Sequence, residues 1–273
     1  MIRSALLYHV YSGHIFFTAI ALFVIGVLLG KRGRIMAAVA IPLALLSGTP
    51  MPLFFAIPLA VLALATLWAR GDLGGWIIRG AAIVAALSAA ALEYPYHRAL
   101  QQVPVAPRMM VVGDSLSSGG FGETVVWPQL MGIRGVANVS RPSDTTKTAL
   151  DSMTNLPPPA SRDVVMIAIG GNDMVEKLSV EDFERALDAI VRSSRPRTPI
   201  MLELPVLPGR WAYAAAQRRV AKRQKIVLVP KRVLALVLAG EGNTSDGLHL
   251  TSQGHTMLAA ALKRELGWET VNC

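Results

Sequence analysis

Only nine formal charges fall within residues 1–100: seven Lys or Arg and two acids, Asp72 and Glu93. Residues 101–273 hold 20 Lys or Arg and 16 Asp or Glu. A helix on the surface of a soluble domain needs a polar face as well as an apolar one. The first stretch has too few polar positions to give each helix such a face, so it predicts helices embedded in a bilayer. The second stretch has an ordinary charge density. The chain therefore divides near residue 100, into a transmembrane helical region over 1–100 and a globular domain over 101–273. The low charged content of 16%, against about a quarter in soluble domains, belongs to the first part alone.

Hydropathy divides that first part further. Val10–Gly30 is an almost unbroken apolar run, of the ~20 residues a spanning helix needs. Lys31-Arg32-Gly33-Arg34 follows it in place of a small-residue cleavage site, so the run reads as an anchor and not as a signal peptide. Ile35–Ala69 is too long for one span, and Ser47-Gly48-Thr49-Pro50-Met51-Pro52 breaks it into a hairpin. Its first arm, Ile35–Leu46, is short for a crossing and leaves a re-entrant segment open. Its second arm, Leu53–Trp68, fits better. A polar connection with Arg70, Asp72 and Arg79 precedes Gly80–Leu92, and Glu93–Arg98 has the character of an interfacial belt. Four spans put Lys31–Arg34 and Arg70–Arg79 on one side, which the positive-inside rule makes cytoplasmic. Three spans are the alternative. The expected location is an inner membrane, multi-pass, with residues 101–273 on the periplasmic side.

The net charge of +9 raises nucleic acid as a partner, but the basic residues are scattered and form no recognised module, so none is expected. The single cysteine, Cys273, allows neither an intramolecular disulfide nor a cysteine metal cluster. His9 and His14, near the start of the first span, are expected to pack or sit at an interface rather than bind metal.

Beyond a Pro-containing linker at Gln101–Pro107, strands and helices alternate. Strands are expected at Arg108–Val112, Ile133–Val139, Asp163–Ile169, Pro199–Leu204 and Ile226–Val229. Helices are expected to start near Glu123 and cover Trp127–Leu130, and to cover Lys147–Met153, Val180–Ser193, Trp211–Arg223, Val233–Leu238 and Gln253–Leu266. Pro157-Pro158-Pro159 reads as a loop. The alternation predicts an α/β fold with a five-stranded parallel sheet covered on both faces. In such sheets ligands bind beyond the carboxyl ends of the strands. The unusual polar turns fall there: Ser115 after the first strand, Ser143 after the second, Asn172 after the third. Asp246 and His249, on the loop before the last helix, can reach the same edge.

Those residues make a chemical set. A serine hydroxyl attacks poorly until a base takes its proton, and histidine is suited to that work near neutral pH. An aspartate fixes the imidazole and stabilises its cation. Ser115, His249 and Asp246 fill these roles, the last two only three residues apart. A developing oxyanion needs donors; the candidates are the Ser115 backbone N–H, the backbone N–H near Ser143, and the Asn172 side-chain amide.

The chain at this point resembles the SGNH (GDSL-type) hydrolases. Gly113-Asp114-Ser115-Leu116 is similar to their first block, Asn138–Thr146 to the second, Gly170-Gly171-Asn172-Asp173 to the third, and Asp246-Gly247-Leu248-His249 to the last. The blocks come in the family's order. The resemblance implies a three-layer α/β/α, flavodoxin-like fold and hydrolysis of esters or thioesters through an acyl-serine, with no metal or cofactor. It implies Ser115 as nucleophile, His249 as base, Asp246 as its partner, and an oxyanion hole of Ser115, Ser143 and Asn172. One departure stands out: Ser143 occupies the position where the family usually has glycine.

Other residues have plainer expected roles. Asp173 caps the following helix or holds the turn. His255 is structural and His97 interfacial. The Arg218–Lys225 cluster is a solvated helix face. Trp127 and Trp211 pack, and Met109, Met110 and Met131 belong to the core. The leading expectation is a membrane-anchored serine esterase acting on acyl esters, O-acetyl groups included, of an envelope glycan or lipid. An acyltransferase with the same residues, or a non-catalytic envelope assembly subunit, are the alternatives.

Overall fold

The computed structural model describes residues 2–51, 53–69, 71–100, 102–120, 122–153, 162–206 and 209–269. The Pro157–Pro159 loop and Arg70 lie outside the described residues. Contacts divide the chain into two units, one of Met1–Tyr8, Ala99–Pro205 and Ala212–Cys273, the other of His9–Arg98 and Val206–Trp211.

The first unit is built on five parallel strands: β1 (Arg108–Gly113), β2 (Gly135–Asn138), β3 (Val164–Ala168), β4 (Thr198–Leu202) and β5 (Val227–Val229), in the order β2-β1-β3-β4-β5. β1 and β3 pair from Met109↔Val164 to Gly113↔Ala168. All five residues of β3 are buried. That is why a continuous apolar run, rather than an alternating one, marks this strand: both faces of a parallel sheet are covered. The order reverses direction between β1 and β3, so the crevice for ligands opens at their carboxyl ends.

The helices of this unit are α6 (Ser115–Ser118), α7 (Thr146–Ser152), α8 (Gly171–Val175), α9 (Val180–Ser193), α10 (Trp211–Gln224, whose first residue belongs to the second unit), α11 (Arg232–Leu238) and α12 (Ser252–Leu266). In α9, Phe183, Leu187, Ile190 and Val191 face the core, as their spacing predicts. Three expectations need correction. No α-helix starts near Glu123; Trp127–Met131 is a short 3-10 helix, with Pro128 in its first turn and left-handed Gly132 ending it. β2 begins at Gly135, not Ile133. The Arg218–Lys225 cluster is not a free solvated face. Arg218 is buried and its Nε donates to Glu203 at 2.6 Å, while Arg219 and Arg223 pair with Glu184 and Asp188 of α9.

The second unit is helical: α2 (His14–Leu28), α3 (Arg34–Leu46), α4 (Leu53–Trp68) and α5 (Leu73–Glu93); α1 (Ile2–Ser12) precedes them in the chain, and its residues up to Tyr8 belong to the first unit. Its interior is made of small residues as much as large ones. Ala37, Ala40, Ala63, Ala82, Ala86 and Ala89 pack with Phe16, Ile20, Phe23 and Val27. Large side chains such as Ile35 (78% exposed), Leu73 (78%) and Val84 (65%) point outward. At Gly26 the backbones of α2 and α3 nearly touch; a Cβ there would sit 2.6 Å from Ala37 N.

Among the described residues, one helix is long and apolar enough to cross a membrane alone, Leu73–His97. The expected straight span over Val10–Gly30 is instead two helices, Arg3–Ser12 and His14–Leu28, bent by 87°. The bend falls at Gly13, whose φ of 80° is left-handed, a conformation glycine adopts at little cost.

Candidate active site

β1 ends at Gly113, a position that only glycine fits. A Cβ would lie 2.6 Å from Ser117 Oγ and 2.8 Å from the Ala168 carbonyl of β3. The next residue, Asp114, caps α6, its Oδ1 accepting from Leu116 N at 3.0 Å. Ser115 is therefore the first residue of a short helix at the carboxyl edge of the sheet, half-buried. Its backbone N–H belongs to the first turn of that helix and is not used by the helix ladder.

The second block is tied to the first. Asn138, the last residue of β2, donates from Nδ2 to the Ser117 carbonyl at 2.7 Å. The chain then turns at Arg141-Pro142-Ser143-Asp144, closed by Asp144 N donating to Arg141 O at 3.3 Å. Proline stands second in this turn, and Ser143, third, has φ +65°. Those are the requirements of a type II turn, which normally puts glycine third. Ser143 thus keeps the backbone conformation expected of the glycine it replaces, and its side chain is exposed.

The third block ties to both others. Asn172 Nδ2 donates to the Asp144 carbonyl at 2.9 Å, which fixes the amide and leaves its second hydrogen free of that bond. Asp173 is fully buried and accepts from Thr146 N at 3.0 Å and from Thr146 Oγ1 at 2.6 Å. It holds the turn, as expected, but the turn is that of the second block, 27 positions away in sequence. The Asp114 carboxylate lies beside Gly171, where an added Cβ would be 3.4 Å from Asp114 Oδ2. Burial is the main cause that pushes the Asp114 carboxyl up to about 6; the neighbouring Asp173 adds to it. Burial also raises Asp173, against the hydrogen bonds from Thr146.

The last block is a tight loop. Thr244 and Leu250 form an antiparallel bridge, and Ser245 N donates to His249 O at 3.0 Å. At its tip, Asp246 Oδ1 accepts from Leu248 N at 2.9 Å and His249 N at 2.8 Å. Asp246 Oδ2 lies 2.7 Å from His249 Nδ1. The His249 backbone N–H, then its imidazole and the Leu248 N–H, hold the Asp246 carboxyl well below the usual range. An ionised carboxylate can only accept, so the imidazole proton sits on Nδ1 and Nε2 is left as a base. The ring lies against Gly120, where a Cβ would be 2.6 Å from His249 Cδ2. That contact brings the loop to the segment that follows Ser115.

Hydrogen bonds thus join the first three blocks, and the Gly120 contact adds His249 with its carboxylate. The sequence reading took Asp114 and Asn138 only as parts of matched blocks. Their roles as clamps depend on partners in other loops, which no local pattern shows. His255 is structural: fully buried, it accepts at Nδ1 from Trp127 N at 3.3 Å, and burial lowers its pKa and keeps it neutral.

Comparison with known proteins gives the same picture. Thioesterase 1/protease 1/lysophospholipase L1 of Escherichia coli K12 is 24% identical over 174 residues, covering 59% of this chain and 84% of that protein. The crystal structure of TesA superposes with a TM-score of 0.53 at 24% identity, over 58% of this chain and 97% of that one. The psychrotrophic esterase EstA from Pseudoalteromonas sp. superposes with a TM-score of 0.53 at 17% identity, over 59% and 97%. Both structures share the fold of the first unit. Residues 111–257 match the GDSL-like Lipase/Acylhydrolase family. That span begins inside β1 and ends beyond His249, so it encloses every loop described above, and the chain belongs to this family of carboxylic ester hydrolases.

Proposed function

We propose that the protein is a membrane-anchored serine esterase in which Ser115 is the nucleophile, His249 the general base and Asp246 its orienting partner. The observation that carries this reading is the Asp246–His249 pair, which leaves Nε2 basic on a ring packed beside the loop after Ser115. Ser115 Oγ attacks the ester carbonyl as its proton passes to His249 Nε2. The oxyanion is met by the N–H groups of Ser115 and Ser143 and by Asn172 Nδ2, donors fixed before the reaction begins. Collapse breaks the ester C–O bond, and the imidazolium returns the proton to the leaving alcohol. Water then attacks the acyl-serine by the same route in reverse order. The Ser143 departure, which favours a non-catalytic subunit on sequence grounds, changes only the side chain, since its φ of +65° is the one glycine would adopt.

The helical unit is the multi-pass anchor, with the catalytic unit on the periplasmic face of an inner membrane. Its support is the inverted packing. Alanines and glycines line the helix contacts and large aliphatic side chains face outward, as in bilayer bundles, where small residues let helices approach and lipid solvates the rest. α2, α3 and α4 have 15, 13 and 16 residues. At 1.5 Å per residue they are shorter than the ~30 Å hydrocarbon core, and they cross by local bilayer thinning. The substrate is then an acyl ester of an envelope lipid or glycan. Ser115→Ala measured on a short-chain aryl ester tests the chemistry, and turnover equal to the parent protein would sink it. A C-terminal reporter tests the topology: activity in the cytoplasm refutes it.

A further inference from the structure

The helical unit contains a cavity of about 340 Å³. Its wall is formed by α2, α3, α4 and α5, with alanines at much of the lining: Ala40 and Ala44 from α3, Ala63 from α4, Ala86 from α5. Trp211, the first residue of α10, completes it. Among the described residues, the Trp211 indole and Thr49 are the polar side chains in the wall, and Thr49 Oγ1 already accepts from Ser47 Oγ at 2.9 Å.

Three features decide what such a space can hold. Its lining offers no charge and no convergent set of polar groups, so it cannot recognise a sugar, a phosphate or a peptide, whose polar atoms would be left unpaired. The space is a half-open groove, with Leu45 and Ile57 of its wall largely exposed, and an apolar wall left without a partner forfeits dispersion contacts. Its volume lies at the small end of the ~300–1,000 Å³ range of ligand pockets, suited to one alkyl chain. Alanine is what creates the room: Leu at Ala40, Ala63 or Ala86 would fill it, and these are the buried positions of the bundle.

We propose that this cavity binds a single acyl chain of a bilayer glycerolipid, so that the helical unit is a lipid-binding module as well as an anchor. The proposal rests on the membrane-embedded reading above.

The test uses the full chain reconstituted in phosphatidylcholine vesicles doped with a phosphatidylcholine that carries a photoactivatable diazirine in one acyl chain. After illumination, adducts are mapped by peptide mass spectrometry in the parent protein, Ser115→Ala, Ala63→Phe and Ile77→Ala. The expected result is at least tenfold enrichment of adducts at the lining of α3 and α4 over outward positions such as Ile35 and Val84. Ser115→Ala and Ile77→Ala should keep that enrichment, and Ala63→Phe should lose it while retaining its unfolding transition in detergent. Adducts spread evenly over the outward faces overturn the proposal, as does unchanged enrichment in folded Ala63→Phe. The map of the parent protein decides the matter even where Ala63→Phe fails to fold. Vesicle flotation separates the two readings. A chain that does not float with the vesicles refutes the membrane anchor, whereas one that floats without enrichment refutes the cavity alone.

Discussion

Replacing Asp246 with Asn separates the geometry of the last loop from its charge. The side chain makes two kinds of contact. Oδ1 accepts from the Leu248 and His249 backbone N–H groups, at 2.9 and 2.8 Å, and Asn retains that oxygen. Oδ2, 2.7 Å from His249 Nδ1, becomes an NH2 group. Two donors cannot face each other, so the imidazole shifts its proton to Nε2 and can no longer take one from Ser115. The variant also loses the charge that stabilises the imidazolium. A hydrogen bond to a charged group contributes about 1.5–3 kcal/mol, and reversing the tautomer adds to this. In a buried triad the corresponding change lowers kcat by about 10⁴. The Asp246 side chain is 44% exposed, so water supports part of the imidazolium charge and the effect is smaller. The expected loss is ~10²–10³ in kcat, or about 3–4 kcal/mol, on a short-chain aryl ester, and the unfolding transition falls at neutral pH because the ionised carboxylate that the loop N–H groups stabilise is gone. A kcat within threefold of the parent protein, in a preparation where Ser115→Ala is inactive, would refute the assignment of Asp246.

Ser143→Gly should keep turnover, because the oxyanion donor is a backbone N–H. It should also gain roughly 0.5–1 kcal/mol, the ~1–2 kcal/mol of left-handed strain less the ~0.5–1 kcal/mol entropy cost of glycine; thermal unfolding reads the gain, and a loss of stability contradicts the strain. Asp114, raised to about 6 by burial against about 3.9 when solvated, favours the folded state fully below pH ~4 and loses that contribution as pH rises through 6. Asp114→Asn should therefore become more stable relative to the parent by up to about 3 kcal/mol between pH 4 and pH 8, and a difference independent of pH would count against a buried Asp114. Gly26→Val, whose Cβ would meet the Ala37 and Gly33 backbones at 2.6 and 2.7 Å, should lower stability in detergent by at least ~1–3 kcal/mol. Gly80→Ala, with nothing within 4 Å, should raise it by about 0.5–1 kcal/mol.

Much of the first unit was legible because its signals are local. A run such as Val164–Ala168 announces a strand buried on both faces, and the polar residues that interrupt the apolar pattern fall where strands end. What escaped was set by contacts distant in sequence. Arg219 and Arg223 look like a solvated face until α9 brings Glu184 and Asp188 to them. Asp173 looks like a local cap, yet it also grips Thr146. The short helix at Gly171–Val175 has no periodicity to betray it. The first apolar run failed as a straight span for a different reason. Hydropathy registers what a residue prefers to touch, and Gly13 bends the chain through a backbone angle that hydropathy does not see.

Three of the site's carboxylates, those of Asp114, Asp173 and Asp246, show how environment divides labour among like groups. Titratable residues with environments that push their pKa values apart have separable roles. Asp246 is exposed and meets three N–H groups, which keep it ionised; it alone offers a permanent negative charge to an imidazole. Asp114 and Asp173 are buried, and burial raises both. A fixed anion in either position would be costly, so their use lies in geometry. Asp114 sets the Ser115 turn beside Gly171, and Asp173 joins the segment bearing Asn172 to Thr146 beyond Ser143. The two together brace the three loops that supply the oxyanion donors. Such donors stabilise a transition state to the extent that they are held before charge develops. In this chain that rigidity matters more than usual, because the Ser143 turn carries a serine in a glycine conformation. Without Asp173 on Thr146, three residues further on, the strained turn could relax and withdraw its N–H.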